Sequence, residues 1–485
     1  VEDVCDGHRP PLQIDAEAFW KPVAVSFPIA LIRGFNASSP TVPELTRAPI
    51  FVPHPPGFRP RRGLNWAFVG LLYTSFYMCR YNLPLASSAI SKQFGFNKAQ
   101  IGSIITTALL AYACGQIVNG LLTDRLGGKR AMLIGATGTI VMNVVFGAAS
   151  FWGLLWLFVV IRGVDGYMQA FGAPGMVKIN AAWFRHTERG GFAGIFGFMI
   201  NLGRFGINNL GAALLGGFVF LGLIRIPPLH WRWLFWIPAG IALLVGICMA
   251  LIVKDTPEEA GFPPVNPQEE IGGQVRVRVL DVFRIIVTNP VVWIIACAYA
   301  CTGAVRQGID QWFPLFMREV HHVDFKSTQF QVLAASIPFV ASAGSLISGI
   351  ISDKLFRGRR APVAAFLYFL ETVIILAAAQ FHSVNAAIVF LVLISLTANS
   401  THSILGTAAA MDIGGAKMAG FASGVIDSFQ YFGGSLAGYF LGALLDRSWD
   451  NYFYFMAPFG VVGGTLMLSI LGRVTLTKQP RAGAA

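Results

Sequence analysis

Gly120-Leu-Leu-Thr-Asp124-Arg125-Leu-Gly-Gly-Lys129-Arg130 returns later in the chain as Gly349-Ile-Ile-Ser-Asp353-Lys354-Leu-Phe-Arg-Gly-Arg359-Arg360. In each copy a glycine near the end of an apolar run permits close helix approach. An acid then precedes a basic cluster that can pair with a neighbouring helix end. The two aspartates are 229 positions apart (353 − 124), close to half of the apolar part of the chain. A repeat of that size predicts two related halves.

Outward from these loops the sequence is apolar in runs of about 20 residues, the length that crosses roughly 30 Å of hydrocarbon. They predict twelve spans near 64–86, 101–122, 130–150, 152–180, 190–222, 231–253, 289–316, 327–350, 361–381, 383–410, 418–445 and 452–472. With 55% hydrophobic and 12% charged residues and a mean hydropathy of +0.61, the 485 residues do not read as two or three water-soluble domains. The expected organisation is a tail over 1–60, disordered or an over-extended start of the reading frame, then six-helix bundles over 61–253 and 287–473. Between the bundles lies a cytoplasmic linker, 254–286, and a short tail, 474–485, closes the chain. The linker contains Asp255-Thr-Pro-Glu-Glu-Ala-Gly-Phe-Pro-Pro264, a composition suited to a polar connection about which the halves can rock.

The net charge of +12 has to be placed before it is interpreted. Twenty loop and tail cations, among them Arg59, Arg125, Lys129, Lys254 and Arg360, fall on one side of the spans. Seven, including Lys92, Lys98, Arg232 and Arg447, fall on the other. That bias predicts both termini in the cytoplasm, within a plasma (inner) membrane. The basic balance thus reports topology, and nucleic acid is not an expected partner. Five of the six cysteines sit inside spans, and neither a disulfide framework nor a metal-ligand spacing emerges. Metal and cofactor are therefore expected to be absent.

Ionisable residues inside the spans form the functional short list, because each costs roughly 2.5–3.5 kcal/mol at a helix centre on insertion scales. They are Arg80, Arg162, Asp165, Lys178, Arg204, Arg306, Asp310, Glu371 and Asp427. Arg80 and Arg306 are 226 positions apart (306 − 80), so they occupy equivalent places in spans 1 and 7. Helices so related face each other across the axis between the halves. Two facing guanidiniums repel unless an anion lies between them, and their forks match phosphate or carboxylate oxygens. Against this stands plain ion pairing: Arg306 with Asp310 at i,i+4, and Arg162 with Asp165 at i,i+3. Arg162 reads as structural, and Glu371 as protonated or locally paired. Arg80 has no acid nearby in sequence.

Further residues carry a family resemblance. Tyr77-Met-Cys-Arg80-Tyr-Asn82, Gly102 and Ala111-Tyr112 precede the first repeated loop, and Trp183-Phe184 leads to Glu188-Arg189-Gly190-Gly191. The linker, Arg306…Asp310…Trp312…Pro314, and Lys417-Met-Ala-Gly420 before Phe432-Gly433-Gly434 complete the set, which runs from Arg61 to about Arg473. Together they resemble the organophosphate:phosphate antiporters of the major facilitator superfamily, the glycerol-3-phosphate, hexose-phosphate and sugar-phosphate carriers. The resemblance implies an all-α membrane protein of the major facilitator fold, twelve transmembrane helices in two pseudo-symmetric bundles. It implies rocker-switch exchange of a phosphorylated organic anion for inorganic phosphate by a monomer in the bilayer, with Arg80 and Arg306 holding the phosphoryl group.

Two positions depart from the glycerol-3-phosphate carriers. Gln116 stands where they place a helix-2 lysine, and Ala182 where they place a histidine. Lys178 and Arg204 are the candidates to supply that charge, while Tyr73, Tyr77, Gln116, Gln307, His402, Asp427 and Gln430 are available for hydroxyl contacts. A proton- or sodium-coupled carboxylate symporter would use Arg80 for the carboxylate and Asp165, Asp427 or Glu371 as the protonated partner. A non-transporting phosphate-ester sensor would keep the fold alone. The residues offer no nucleophile–base pair, so an enzyme is not expected.

Overall fold

Among the residues described by the computed structural model (54–185, 189–220, 224–265, 288, 290–354, 356, 360–409 and 424–471) helix dominates. The amino-terminal half runs α1 (Phe58–Arg80), α2 (Asn82–Phe94), α3 (Lys98–Leu126), α4 (Gly128–Ala149), α5 (Leu155–Gln169), α6 (Gly172–Trp183) and α7 (Arg189–Gly216). A short antiparallel hairpin, β1 (Phe218–Phe220) with β2 (Ile224–Ile226), pairs Phe218 with Ile226 and leads to α8 (Trp233–Ile252). The second half runs α9 (Pro290–Glu319), α10 (Thr328–Lys354), α11 (Arg360–Ala378) and α12 (Val384–Ser403), the last continuing into a π-helical turn, Ile404–Ala409. Helices α13 (424–436), α14 (Tyr439–Leu445) and α15 (Asn451–Ser469) follow.

Joining α1 to α2, α5 to α6 and α13 to α14 across their short breaks gives twelve segments at the expected places. Eight of them (α3, α4, α8 to α12 and α15) could cross a bilayer on length and composition alone.

The breaks have chemical causes. Pro84 lacks the N–H that would bond the Arg80 carbonyl, and its ring crowds that carbonyl, so the first span stops at Tyr81 and restarts. Pro174 does the same to Ala170, between α5 and α6. In the second half, α13 gives way at Ala437-Gly438, and the freed Ala437 carbonyl accepts from Trp312 Nε1 on α9 at 2.6 Å.

Helices α4, α6, α7 and α8 pack on α1 in the first half, where α3 and α5 pack on each other, and α12 and α15 pack on α9 in the second, with α11 against both of them. The halves meet where α14 lies on α3, α10 on α7 and α9 on α2. The first of these contacts requires glycine: a Cβ on Gly102 would sit 2.3 Å from the Gly438 carbonyl oxygen.

Three expectations change. Helix α1 begins at Phe58, inside the expected tail, because buried Phe58 packs on Trp183 and Phe262 at 5.8 and 5.5 Å between ring centres. Span 5 ends at Gly216, short of the expected 222, where Gly217 at φ +77° turns the chain into the hairpin. The start of the linker is not loose: Trp183 Nε1 donates to the Lys254 carbonyl at 3.0 Å, and Asp255 Oδ1 accepts from the Lys129 amide at 2.6 Å. Residues 1–53, 266–287 and 472–485, with the expectations placed on them, lie outside the described residues, as do Glu188 and Lys417-Met-Ala-Gly420.

Candidate functional site

Arg80 is the last residue of α1 and is 7% exposed. Its Nε donates to Gln169 Oε1 at 2.8 Å and its Nη1 to Tyr431 Oη at 3.1 Å. The guanidinium lies 4.1 Å from the Tyr112 ring centre and 4.7 Å from that of Tyr77, so aromatic faces solvate the charge within an otherwise apolar bundle. Its Nη2 has no hydrogen-bond partner among the described residues.

Arg306, from the middle of α9, is 4% exposed. It lies 3.9 Å from Asp310 Oδ2, and its Nε likewise lacks a hydrogen-bond partner among the described residues. Tyr77 and Tyr431, which border Arg80, also lie in the electrostatic neighbourhood of Arg306. Asp427 lies in the electrostatic neighbourhood of both arginines. The two cations of the repeat argument, one from each half, thus share one polar interior.

Asp310 is the acid of that interior. It pairs with Arg204 from α7 in a buried bridge and accepts from Tyr81 Oη at 3.4 Å. Asp427 accepts from Gln116 Nε2 at 3.0 Å and from Tyr299 Oη at 3.3 Å, and Tyr299 Oη is 2.5 Å from His402 Nδ1. Arg80 is thus linked to Gln116, Asp427 and His402 through Tyr112 and Tyr299, and to Asp310, Arg204 and Arg306 through Tyr77 and Tyr81. Lys178 is elsewhere. Its ammonium sits at the carbonyl end of α3, donating to the Thr123 and Asp124 carbonyls at 3.0 and 2.7 Å, where a cation favours the helix dipole. It cannot supply the charge missing at Gln116.

Arg162 and Asp165 form the expected i,i+3 bridge at 2.7 Å. Arg162 also donates to the Cys79 and Arg80 carbonyls at 3.0 and 2.5 Å, the groups that the break before Pro84 leaves open. Sequence reasoning missed Gln169, Tyr431 and Tyr299 as site residues. Gln169 directly precedes a proline-induced break, and Tyr431 directly precedes the Phe432-Gly433-Gly434 motif; those positions were the available signals.

Eight helices long and apolar enough to cross a bilayer, with a buried arginine from each half between them, fit a polytopic membrane protein. The chain belongs to the Major Facilitator Superfamily, whose family model matches residues 69–438, and it is a membrane carrier rather than an enzyme. It is similar to the membrane sensor protein UhpC of Escherichia coli, 27% identical over 84% of this chain and 91% of that protein. Similarity to the glycerol-3-phosphate transporter of Bacillus subtilis is 27% identity over 80% and 87% of the two chains. For the phosphoglycerate transporter protein of Salmonella typhimurium the figures are 26%, 85% and 89%. Among solved structures, an inward-facing, occupied bacterial homologue of the human lysosomal transporter Spinster superposes with a TM-score of 0.66 at 18% identity, covering 87% of this chain and 99% of that one.

Proposed function

We propose that this protein exchanges a phosphorylated organic anion, such as a sugar phosphate, glycerol phosphate or phosphorylated acid, for inorganic phosphate. The observation that carries the reading is the pair Arg80 and Arg306: one buried guanidinium from each half, each with an N–H that no described residue accepts. Such groups are costly unless a ligand completes them, and a phosphoryl group offers several acceptor oxygens to a planar fork. The names of the relatives, phosphate-ester transporters among them, support the same substrate class.

With the basic Lys254-bearing end in the cytoplasm, the cross-half contacts of Lys98, Gly102 and Asp446 close the outer face, and the exchange proceeds by rocking about the Arg80–Arg306 level. Both termini then lie in the cytoplasm.

Proteoliposomes preloaded with phosphate test the reading. They should take up labelled phosphate without any ion gradient, and external phosphate esters should compete. Uptake that appears only with a proton or sodium gradient would overturn it in favour of a symporter. A second reading, a phosphate-ester sensor, is favoured by the sensor among the relatives; it requires ester binding with no counterflow.

A further inference from the structure

Two of the contacts that hold Arg80 lead to one carboxylate. The backbone end of Arg80 is held by Arg162, whose guanidinium donates to the Cys79 and Arg80 carbonyls and is itself paired with Asp165 Oδ2 at 2.7 Å. Its side chain is held by Gln169 Oε1, at 2.8 Å from Nε. The Gln169 amide has two ends, and its Nε2 faces both Asp165 oxygens at 3.0 Å. An ionised carboxylate only accepts hydrogen bonds, so Asp165 fixes which way that amide points. With the NH2 turned to Asp165, the carbonyl oxygen must face Arg80.

We propose that Asp165 is the positioning residue for Arg80: through Arg162 it holds the main chain at the helix break, and through Gln169 it occupies the guanidinium Nε. Arg80 is thereby restricted to engaging an oxyanion with Nη2 and with the Nη1 N–H that Tyr431 leaves over. Asn143 Nδ2 donates to Asp165 Oδ1 at 3.3 Å and braces the carboxylate in turn, while Asn143 Oδ1 accepts from Asn82 Nδ2 at 2.8 Å. This inference rests on the anion-binding reading of Arg80 for its functional consequence, but the relay itself is made only of contacts within the chain.

The test is made on the purified full chain in detergent, with radiolabelled inorganic phosphate as the probe. Asp165→Asn and Gln169→Leu should each weaken phosphate binding by about ten-fold, the loss of one well-placed hydrogen bond to a charged group. The double variant Asp165→Asn/Gln169→Leu should be no worse than the poorer single, because the two act in series. The exchange Asp165→Asn/Gln169→Glu puts an acceptor-only group beside Arg80 again and should recover at least half of the lost affinity. Additive losses, or no recovery in the exchange variant, would overturn the relay.

A ligand-free measurement separates this from the substrate reading. The drop in melting temperature caused by Gln169→Leu should shrink by more than half in an Arg80→Leu background. An equal drop in both backgrounds would overturn the relay even if phosphate binds. If the wild-type chain binds neither phosphate nor its esters, the substrate reading falls, and this melting cycle alone decides the relay.

Discussion

Arg204 of α7 and Asp310 of α9 form an ion pair from one half of the molecule to the other, with both side chains 3% exposed. Asp310 also has Arg306 at 3.9 Å, so one carboxylate sits among two cations. Removing one partner of a buried pair strands the other and costs about 3–5 kcal/mol. Asp310→Leu is expected to lower the melting temperature of the purified protein accordingly. Arg204→Met/Asp310→Leu, which removes one of the stranded cations, should melt higher than Asp310→Leu. A double variant that melts no higher would show that the pair does not hold the halves together.

Arg80→Lys tests the fork. The guanidinium reaches Gln169 and Tyr431 with different nitrogens while leaving Nη2 for a ligand. An ammonium keeps the charge but cannot span these directions. Two charge-assisted bonds at about 1.5–3 kcal/mol each make the expected loss of phosphate exchange at least hundred-fold, with normal insertion. Exchange within a few-fold of wild type would exclude a bidentate role.

The contact at the Lys98 end is electrostatic as well as steric. Asp446 at the end of α14 accepts from the Lys98 and Ala99 amides at 2.7 and 2.9 Å, capping the start of α3, while the Lys98 ammonium pairs with Glu319 at 3.1 Å. A carboxylate at a helix start contributes up to about 2 kcal/mol, so Asp446→Asn should shift the balance toward an opened form by roughly ten-fold. Ser91, which lines the opening beside this contact, supplies the readout. Ser91→Cys should react correspondingly faster with an impermeant maleimide in the Asp446→Asn background, and an unchanged rate would argue against the clasp.

Glu371 is fully buried in α11, and neither carboxylate oxygen accepts a hydrogen bond among the described residues. An unpaired buried charge costs several kcal/mol, so glutamine, which keeps the shape without a charge, should be tolerated. Glu371→Gln is expected to melt within about 1 kcal/mol of wild type or above it and to retain transport. A loss of transport at normal stability would assign the carboxyl a part in coupling.

The fold was legible because the bilayer imposes a length and a polarity on each segment, and these survive in single runs such as 101–122 and 231–253. The repeat arithmetic picked out Arg80 and Arg306, one buried guanidinium in each half, because duplication preserves register. What was not legible depends on direction. Arg306–Asp310 looked complete as an i,i+4 pair, yet the side chain that comes to Asp310 most closely is Arg204, 106 residues earlier in sequence. Lys178 shares a span with Arg162 but emerges beyond the break at Pro174, on the far side of that span, among the carbonyls of α3. Gln169 and Tyr431 are uncharged, so the insertion cost that singled out the ionisable residues gave no signal for them.

Gln116 offers the sharpest test of substrate choice. Its Nε2 donates to Asp427 Oδ2 and to Tyr112 Oη, each at 3.0 Å, and so joins α3 of one half to α13 of the other. A lysine here, as in the glycerol-3-phosphate carriers, would bring its ammonium onto Asp427 rather than leave it for the ligand. At an effective dielectric of about 20, such a pair gains roughly 4 kcal/mol, against about 1 kcal/mol for the neutral hydrogen bond that it replaces. Gln116→Lys alone should therefore slow exchange ten-fold or more by tying the halves together, and leave the ranking of phosphate esters as it was. Gln116→Lys/Asp427→Asn releases the ammonium, and with Ala182→His added the ranking should move toward glycerol-3-phosphate. A counterflow panel reads both outcomes; a changed ranking in Gln116→Lys alone would mean that Asp427 does not hold the side chain at 116.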